Sequence, residues 1–220
     1  MTIVSLKTEN FRNPPPKLQV ELPLRNSGLI KLEFSNGTSL LLTADYLPEG
    51  IDPAVWETGR ELSSVEEEAF RFAAVCYRAE KAAARLIARA EQSSFGITVK
   101  LERRGYEAAA VKAVVSLLSD RNLLNDERYA ECWIRSRLKG RKAPSPRWLL
   151  VSLGKRGIDR ASSLQALKNA LDPETEYTLL LKHLKAPGIP GKNPGISLKS
   201  RLKYEGFSPQ AVERYIDLTE

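Results

Sequence analysis

The stretch "KLERRGY", residues 100–106, decides the reading of this chain, because it occurs three times in related form. Residues 152–158 read "SLGKRGI" and residues 201–207 read "RLKYEGF". In each, a leucine stands four places before a glycine: Leu101 and Gly105, Leu153 and Gly157, Leu202 and Gly206. Another apolar residue stands eight before it (Ile97, Leu149, Leu198), and a large apolar one follows (Tyr106, Ile158, Phe207). Alone, such a stretch is a helix stop, since glycine takes the left-handed conformation just past a helix end without a Cβ clash. Repeated with matched flanks at intervals of about fifty residues, it marks a structural repeat.

The flanks define the unit. Twelve before each glycine stand Ser93, Ser145 and Pro194, and Ser145-Pro146 reads as an N-cap with proline at the first helical position. In the third copy Asn193-Pro194 or Ser197 can serve the same purpose. A further helix follows each glycine. Val111 and Val115 stand six and ten past Gly105, and Val212 and Ile216 stand six and ten past Gly206. The second copy offers Leu164 and Leu167, an imperfect register. A helix also precedes each start. In "NDERYAECWIRSRLK", Asn125 caps and Tyr129, Cys132, Trp133 and Ser136 share one face, while in "DPETEYTLLLKHL" Asp172 caps and Pro173 begins. The unit is therefore helix, helix, glycine turn, helix. Gly105, Gly157 and Gly206 are its hinges.

Upstream, the pattern changes. Residues 1–17 end in "NPPPK" and read as a flexible tail. Residues 18–62 read as a small β-rich extension with "LQVELPL", "LIKLEF" and "TSLLLTADYL" as strands. Ser35-Asn36-Gly37 supplies a hairpin turn, and alternation places Ile30, Leu32 and Phe34 on one face. From Ser63 the sequence is helical as far as about Gln92, as one helix or two, capped by Ser63 or Ser64, with a stripe of Phe70, Ala74, Tyr77 and Lys81 and then Ala83, Leu86, Ile87 and Ala90. The helical repeats then divide as 63–121 with its lead-in helix, 122–171 and 172–220. The expected fold class is mainly α, tandem three-helix repeats with a small N-terminal antiparallel β extension.

Composition narrows the function. The 220 residues are 42% hydrophobic and 28% charged, with no apolar run long enough to span a membrane and no signal pattern, so a cytoplasmic protein is expected. Two cysteines and one histidine exclude a Cys/His zinc site. Cys76 and Cys132 read as buried apolar residues, and His183 as a helix-surface residue. No nucleophile pairing, phosphate loop or carboxylate pair is visible, so neither catalysis nor a cofactor is expected. The net charge of +7 is uneven: residues 1–64 carry 6 Lys/Arg against 8 Asp/Glu, the remainder 28 against 19. Arg135, Arg137, Lys139, Arg141, Lys142, Arg147, Lys155 and Arg156 follow one another with no acidic residue between. They read either as a solvated face or as a binding patch for phosphates or carboxylates. Arg103 and Arg104 align with Lys155-Arg156, whereas the third copy has Tyr204-Glu205. Trp133 and Trp148 read as core rather than as stacking platforms.

Residues 104–138, "RGYEAAAVKAVVSLLSDRNLLNDERYAECWIRSRL", resemble the RGF-then-LLDDERFAEAFVRSR run of the RecX family of bacterial regulators. Asp126, Tyr129, Ala130, Trp133, Arg135, Ser136 and Arg137 occupy matching places. "ARLIARAEQS" (84–93) is similar to that family's first repeat helix, "LKYEGFSPQAVERYI" (202–216) to its last repeat, and "GRELS" (59–63) to the β-rich extension of some members. "SSFGITVKLE" departs from the pattern, because Gly96 and the β-branched Ile97, Thr98 and Val99 weaken a helix. The Pro/Gly-rich "APGIPGKNPG" (186–195) lengthens the third unit. The resemblance implies an elongated string of three-helix units, not an enzyme. It implies that RecA and the RecA–single-stranded DNA filament are partners and that ATP hydrolysis, strand exchange and coprotease activity are inhibited. It also implies a role in DNA repair and SOS control, with direct DNA contact as an option, and a monomer. The other reading of the same residues is a stand-alone nucleic-acid-binding helical module.

Overall fold

In the computed structural model, which describes residues 2–9, 28–51, 56–186 and 197–218, Asn36-Gly37 turns a hairpin between β2 (Leu29–Phe34) and β3 (Ser39–Thr43). Gly37 has a φ of 77°, and the Phe34 N–H donates to the Thr38 carbonyl at 2.9 Å. The alternation predicted for β2 holds: Ile30, Leu32 and Phe34 are all buried. The first residues correct the expected tail. Ile3–Glu9 forms β1, antiparallel to β2, giving a three-stranded sheet in the order β1-β2-β3. "IVSLKT" is itself β-forming, and Ile3 is fully buried, with its backbone bonded to Arg60 and Gly59. "LQVELPL" and the proline run lie outside the described residues.

A single helix, α1 (Ser64–Ile87), follows. Ser63 caps it in a full capping box: its hydroxyl accepts from the Glu66 N–H, and the Glu66 carboxylate accepts from the Ser63 N–H at 2.9 Å. The buried stripe is Phe70, Ala73, Ala74, Cys76, Ala79, Glu80 and Ala83, whereas Lys81 is exposed. The expected stripe is thus rotated: the sheet and a later helix of the same core cover the face of Ala73, Cys76 and Ala79, and leave Tyr77 half-buried and Lys81 in solvent. The remaining helices are α2 (Ser94–Glu102), α3 (Ala108–Asp120), α4 (Asp126–Leu138), α5 (Pro146–Gly154), α6 (Arg160–Ala170), α7 (Pro173–Leu184), α8 (Leu198–Tyr204) and α9 (Pro209–Asp217). The fold is mainly helical with a small antiparallel sheet. Despite Gly96 and its β-branched neighbours, α2 is helical, with Ile97 and Leu101 buried and Ser93 accepting from the Gly96 N–H. Burial of these two side chains outweighs the propensity cost of about 1 kcal/mol for the glycine.

The chain divides into two compact units, residues 1–90 with 97–124, and residues 91–96 with 125–220. In the first, the sheet, α1 and α3 enclose one core. Within it the Tyr46 hydroxyl donates to Glu80 at 2.9 Å, and Arg121 bridges Asp45 at 2.7 Å and Glu80 at 3.4 Å. Burial raises the Glu80 carboxyl above its ordinary pKa, against the lowering influence of Tyr46 and Arg121. Burial likewise pushes the Cys76 thiol up to about 11, which leaves it inert. A carboxyl raised on folding contributes stability that is full below its unfolded pKa and lost as pH rises through its folded one. Glu80→Gln is therefore expected to flatten that fall as pH rises above the ordinary carboxylate range in urea-unfolding titrations. An unchanged profile would show that the carboxyl is not the group responsible.

The three glycine turns are one device. Gly105, Gly157 and Gly206 have φ of 83°, 78° and 89°. In each, the N–H after the glycine donates to the carbonyl of the leucine four before it: Tyr106 to Leu101 at 3.3 Å, Ile158 to Leu153 at 3.2 Å and Phe207 to Leu202 at 3.2 Å. This is the 6→1 bond of a Schellman motif, whose hydrophobic contact joins the same two residues. The Leu-x-x-x-Gly-apolar spacing is its sequence signature.

The second unit also restores the register that looked imperfect. Ser163, six past Gly157, holds the buried place of Val111 and Val212, while Leu164 is 44% exposed. The Ser163 hydroxyl has no hydrogen-bond partner among the described residues. Ser163→Ala is expected to raise stability by about 1 kcal/mol, read as a higher urea midpoint, because a buried orphan hydroxyl is removed. A lower midpoint would mean that the hydroxyl is satisfied in solution. In α4 the buried pair is Ala130 and Ile134, flanked by Tyr129, Trp133 and Leu138. Cys132 and Ser136, expected on that face, are exposed.

Candidate functional site

Asn125 starts α4 by accepting from the Arg128 N–H, and the helix delivers Trp133, Arg135 and Arg137 to the surface. Ser145 starts α5 by accepting from the Trp148 N–H, with Pro146 in the first turn, and so places Arg147 and Trp148 outward. Trp133 and Trp148 stack, with ring centroids 5.9 Å apart and planes at 22°. Trp148, 49% exposed, stands outside the core, whereas Trp133 is half-buried and packs against it. Arg156 lies 4.4 Å and Arg137 5.0 Å from the centroid of the Trp133 ring. Delocalised guanidinium groups favour such aromatic faces while their in-plane N–H groups stay available to anions.

A groove of about 750 Å³ opens beside this stack. Arg137, Arg141, Lys142 and Arg147 contribute its positive charge, and Trp148, Val151 and Tyr204 its apolar wall. Arg147 is fixed twice. Its guanidinium sits 4.1 Å from the Tyr204 ring centroid, and its backbone N–H donates to the Glu205 carbonyl at 2.9 Å. Gly206 allows this approach, since a Cβ there would stand 3.0 Å from the Arg147 nitrogen. His183 lines the groove too and corrects the expectation of a surface residue: it is 6% exposed. Its Nδ1 is 2.9 Å from the Ala143 carbonyl, so the proton belongs on Nδ1, and its ring packs against Phe207. That bond anchors the α4–α5 loop just beyond Arg141 and Lys142.

The sequence-predicted basic residues therefore separate into groups. Arg137, Arg141, Lys142 and Arg147 line the groove, and Arg156 joins Arg137 on the Trp133 ring. Arg135 is paired with Glu131 at 2.7 Å. Lys139 and Lys155 are exposed outside the groove lining. Arg103 and Arg104 are exposed in the first unit. Sequence reading missed Tyr204 and His183 as groove residues. The alignment of Tyr204 with Arg103 and Lys155 at the glycine turn was the available signal for the first; nothing local signals the second. Among the described residues, no cluster of His, Cys, Asp or Glu could hold a metal ion, and no helix is long and apolar enough to cross a membrane.

Over 143 residues the chain is 37% identical to regulatory protein RecX of Treponema pallidum (strain Nichols), covering 65% of this chain and 86% of that protein. The chain belongs to the RecX family. RecX of Pseudomonas entomophila (strain L48) is 28% identical over 137 residues, or 84% of its length. RecX of Mycobacterium sp. (strain KMS) is 30% identical over 162 residues, or 81% of its length. A crystal structure of a RecX regulatory protein matches with a TM-score of 0.63 over 98% of both chains at 16% identity, a likeness of fold. No family model matches the chain. These relatives are named regulatory proteins.

Proposed function

We propose that this chain binds RecA, or RecA–single-stranded DNA filaments, and modulates their recombinase, ATPase and coprotease activities, mainly by inhibition, within DNA repair and SOS control in the cytoplasm. It acts as a monomer and without a cofactor. Membership of the RecX family carries this reading. The groove supports it physically, because Arg137, Arg141, Lys142 and Arg147 share one face with no ion pair to any described residue. Such a cationic face is complementary to a filament that exposes phosphates and carboxylates, and it raises the encounter rate as well as the affinity. Arg103 and Arg104 supply a second basic contact from the first unit.

The test is ATP hydrolysis by RecA filaments on single-stranded DNA. Stoichiometric protein is expected to suppress hydrolysis, and an unchanged rate would overturn the proposal. The half-exposed Trp148 favours a second reading, a nucleic-acid-binding module that needs no RecA. Steeply salt-dependent DNA binding together with unaffected RecA hydrolysis would establish that reading instead.

A further inference from the structure

We propose that the groove beside Trp148 is a subsite for single-stranded nucleic acid, holding a backbone phosphate between Arg141, Lys142 and Arg147 and one base on the open face of Trp148. The inference deepens the regulatory reading above, by assigning this face to the strand rather than to protein.

Three observations converge on it. The cations at the groove are exposed, and none forms an ion pair among the described residues, so they carry uncompensated positive charge. Among the described residues Glu205 is the one carboxylate lining the groove, and it forms no ion pair with these cations, so the lining keeps a net positive charge. Next, the aromatic surface is supported from behind. Trp148 is backed by Trp133 at 5.9 Å, and Trp133 is in turn covered by Arg156 at 4.4 Å. A half-exposed indole held in this way offers a flat face to a second ring, and every base has one. Last, the volume of about 750 Å³ is ample for a nucleotide unit.

Arg147 and the backbone just after Lys142 are held in place before any ligand arrives. Tyr204 lies under the Arg147 guanidinium, and His183 ties the loop after Lys142 through Ala143. An acidic polypeptide would satisfy the charge, but its carboxylates bring no ring with them, and one reaches the Trp148 face only where an aromatic side chain stands beside them. A nucleotide supplies both phosphate and ring at neighbouring positions. Recognition of this kind reads no base identity, because neither the stack nor the phosphate contacts touch base edges.

The experiment uses the full chain without RecA. A labelled short oligo(dT) and an abasic phosphodiester of the same length are titrated by fluorescence anisotropy, with poly-Glu as competitor. Oligo(dT) is expected to bind at least about fivefold more tightly than the abasic strand, the span of one stacked base. Trp148→Ala, at a surface position, is expected to erase that difference while leaving the circular dichroism helical signal unchanged. Arg141→Glu with Lys142→Glu is expected to weaken both strands together. Equal affinity for the two strands, a difference that survives Trp148→Ala, or competition by poly-Glu as effective as that by unlabelled oligo(dT) would each overturn the subsite. Because RecA is absent, such a failure leaves the ATPase test of the regulatory role to stand or fall separately.

Discussion

Gly157→Ala is expected to destabilise the second unit by about 2–5 kcal/mol, against about 1–2 kcal/mol for Gly105→Ala in the first. Both glycines have positive φ, so both substitutions carry the left-handed penalty. They differ in what surrounds the new methyl. At Gly105 no described atom lies within 4 Å of a built Cβ. At Gly157 a Cβ would stand 2.3 Å from the Phe95 Cβ and 2.5 Å from its Cγ. Those atoms are the root of the side chain, so rotation of the ring cannot relieve the overlap, and backbone must move. Urea unfolding of the two variants checks the difference. Phe95→Gly removes the obstructing atoms, and in that background the cost of Gly157→Ala is expected to fall to the Gly105 value. Equal costs in the unmodified chain would mean that Phe95 does not pack on this turn in solution.

The inhibition of RecA-filament ATP hydrolysis proposed above is expected to weaken about a hundredfold or more on simultaneous Arg141→Glu, Lys142→Glu and Arg147→Glu substitution, since like charges set against an anionic partner cost several kcal/mol. The fold is expected to survive. Arg141 and Lys142 are exposed, and the structural bond of Arg147 to Glu205 comes from its backbone N–H, which the change retains. What is lost inside the protein is the stacking of Arg147 on Tyr204, about 0.5–1 kcal/mol at an exposed site. Inhibition curves recorded beside circular dichroism spectra separate the two effects. Native spectra with native inhibition would remove the groove from the partner interface.

Much of the helical framework was legible because the interactions that set it are local. Ser63, Asn125, Ser145, Asp172 and Ser197 each cap a helix through a bond spanning two or three residues. The glycine turns close through bonds spanning five residues, and Asn36-Gly37 sets a hairpin by its own backbone preference. The misreadings concern side chains whose surroundings come from distant parts of the chain. His183 and Cys132 both sit in helices, and only what packs on each helix face decides that the first is buried and the second exposed. The strand at Ile3–Glu9 was passed over because its partner residues in β2 lie 20 to 31 positions away.

The same division holds at the candidate site. Its run of cations is plain in the sequence, whereas the grouping within that run is not. Arg135 is taken up by Glu131 on its own helix, Arg137 and Arg156 meet on a tryptophan, and Arg147 meets a tyrosine from the following glycine turn. By itself the sequence determined the repeating turn, the helices between turns and the sign of the charge, all properties of residues within a few places of one another. The tertiary structure alone decided that Trp148 stays half-exposed, that Ser163 takes the place of a valine and that four cations share one groove. Each of these depends on contacts between residues tens of places apart, whose geometry no local spacing encodes.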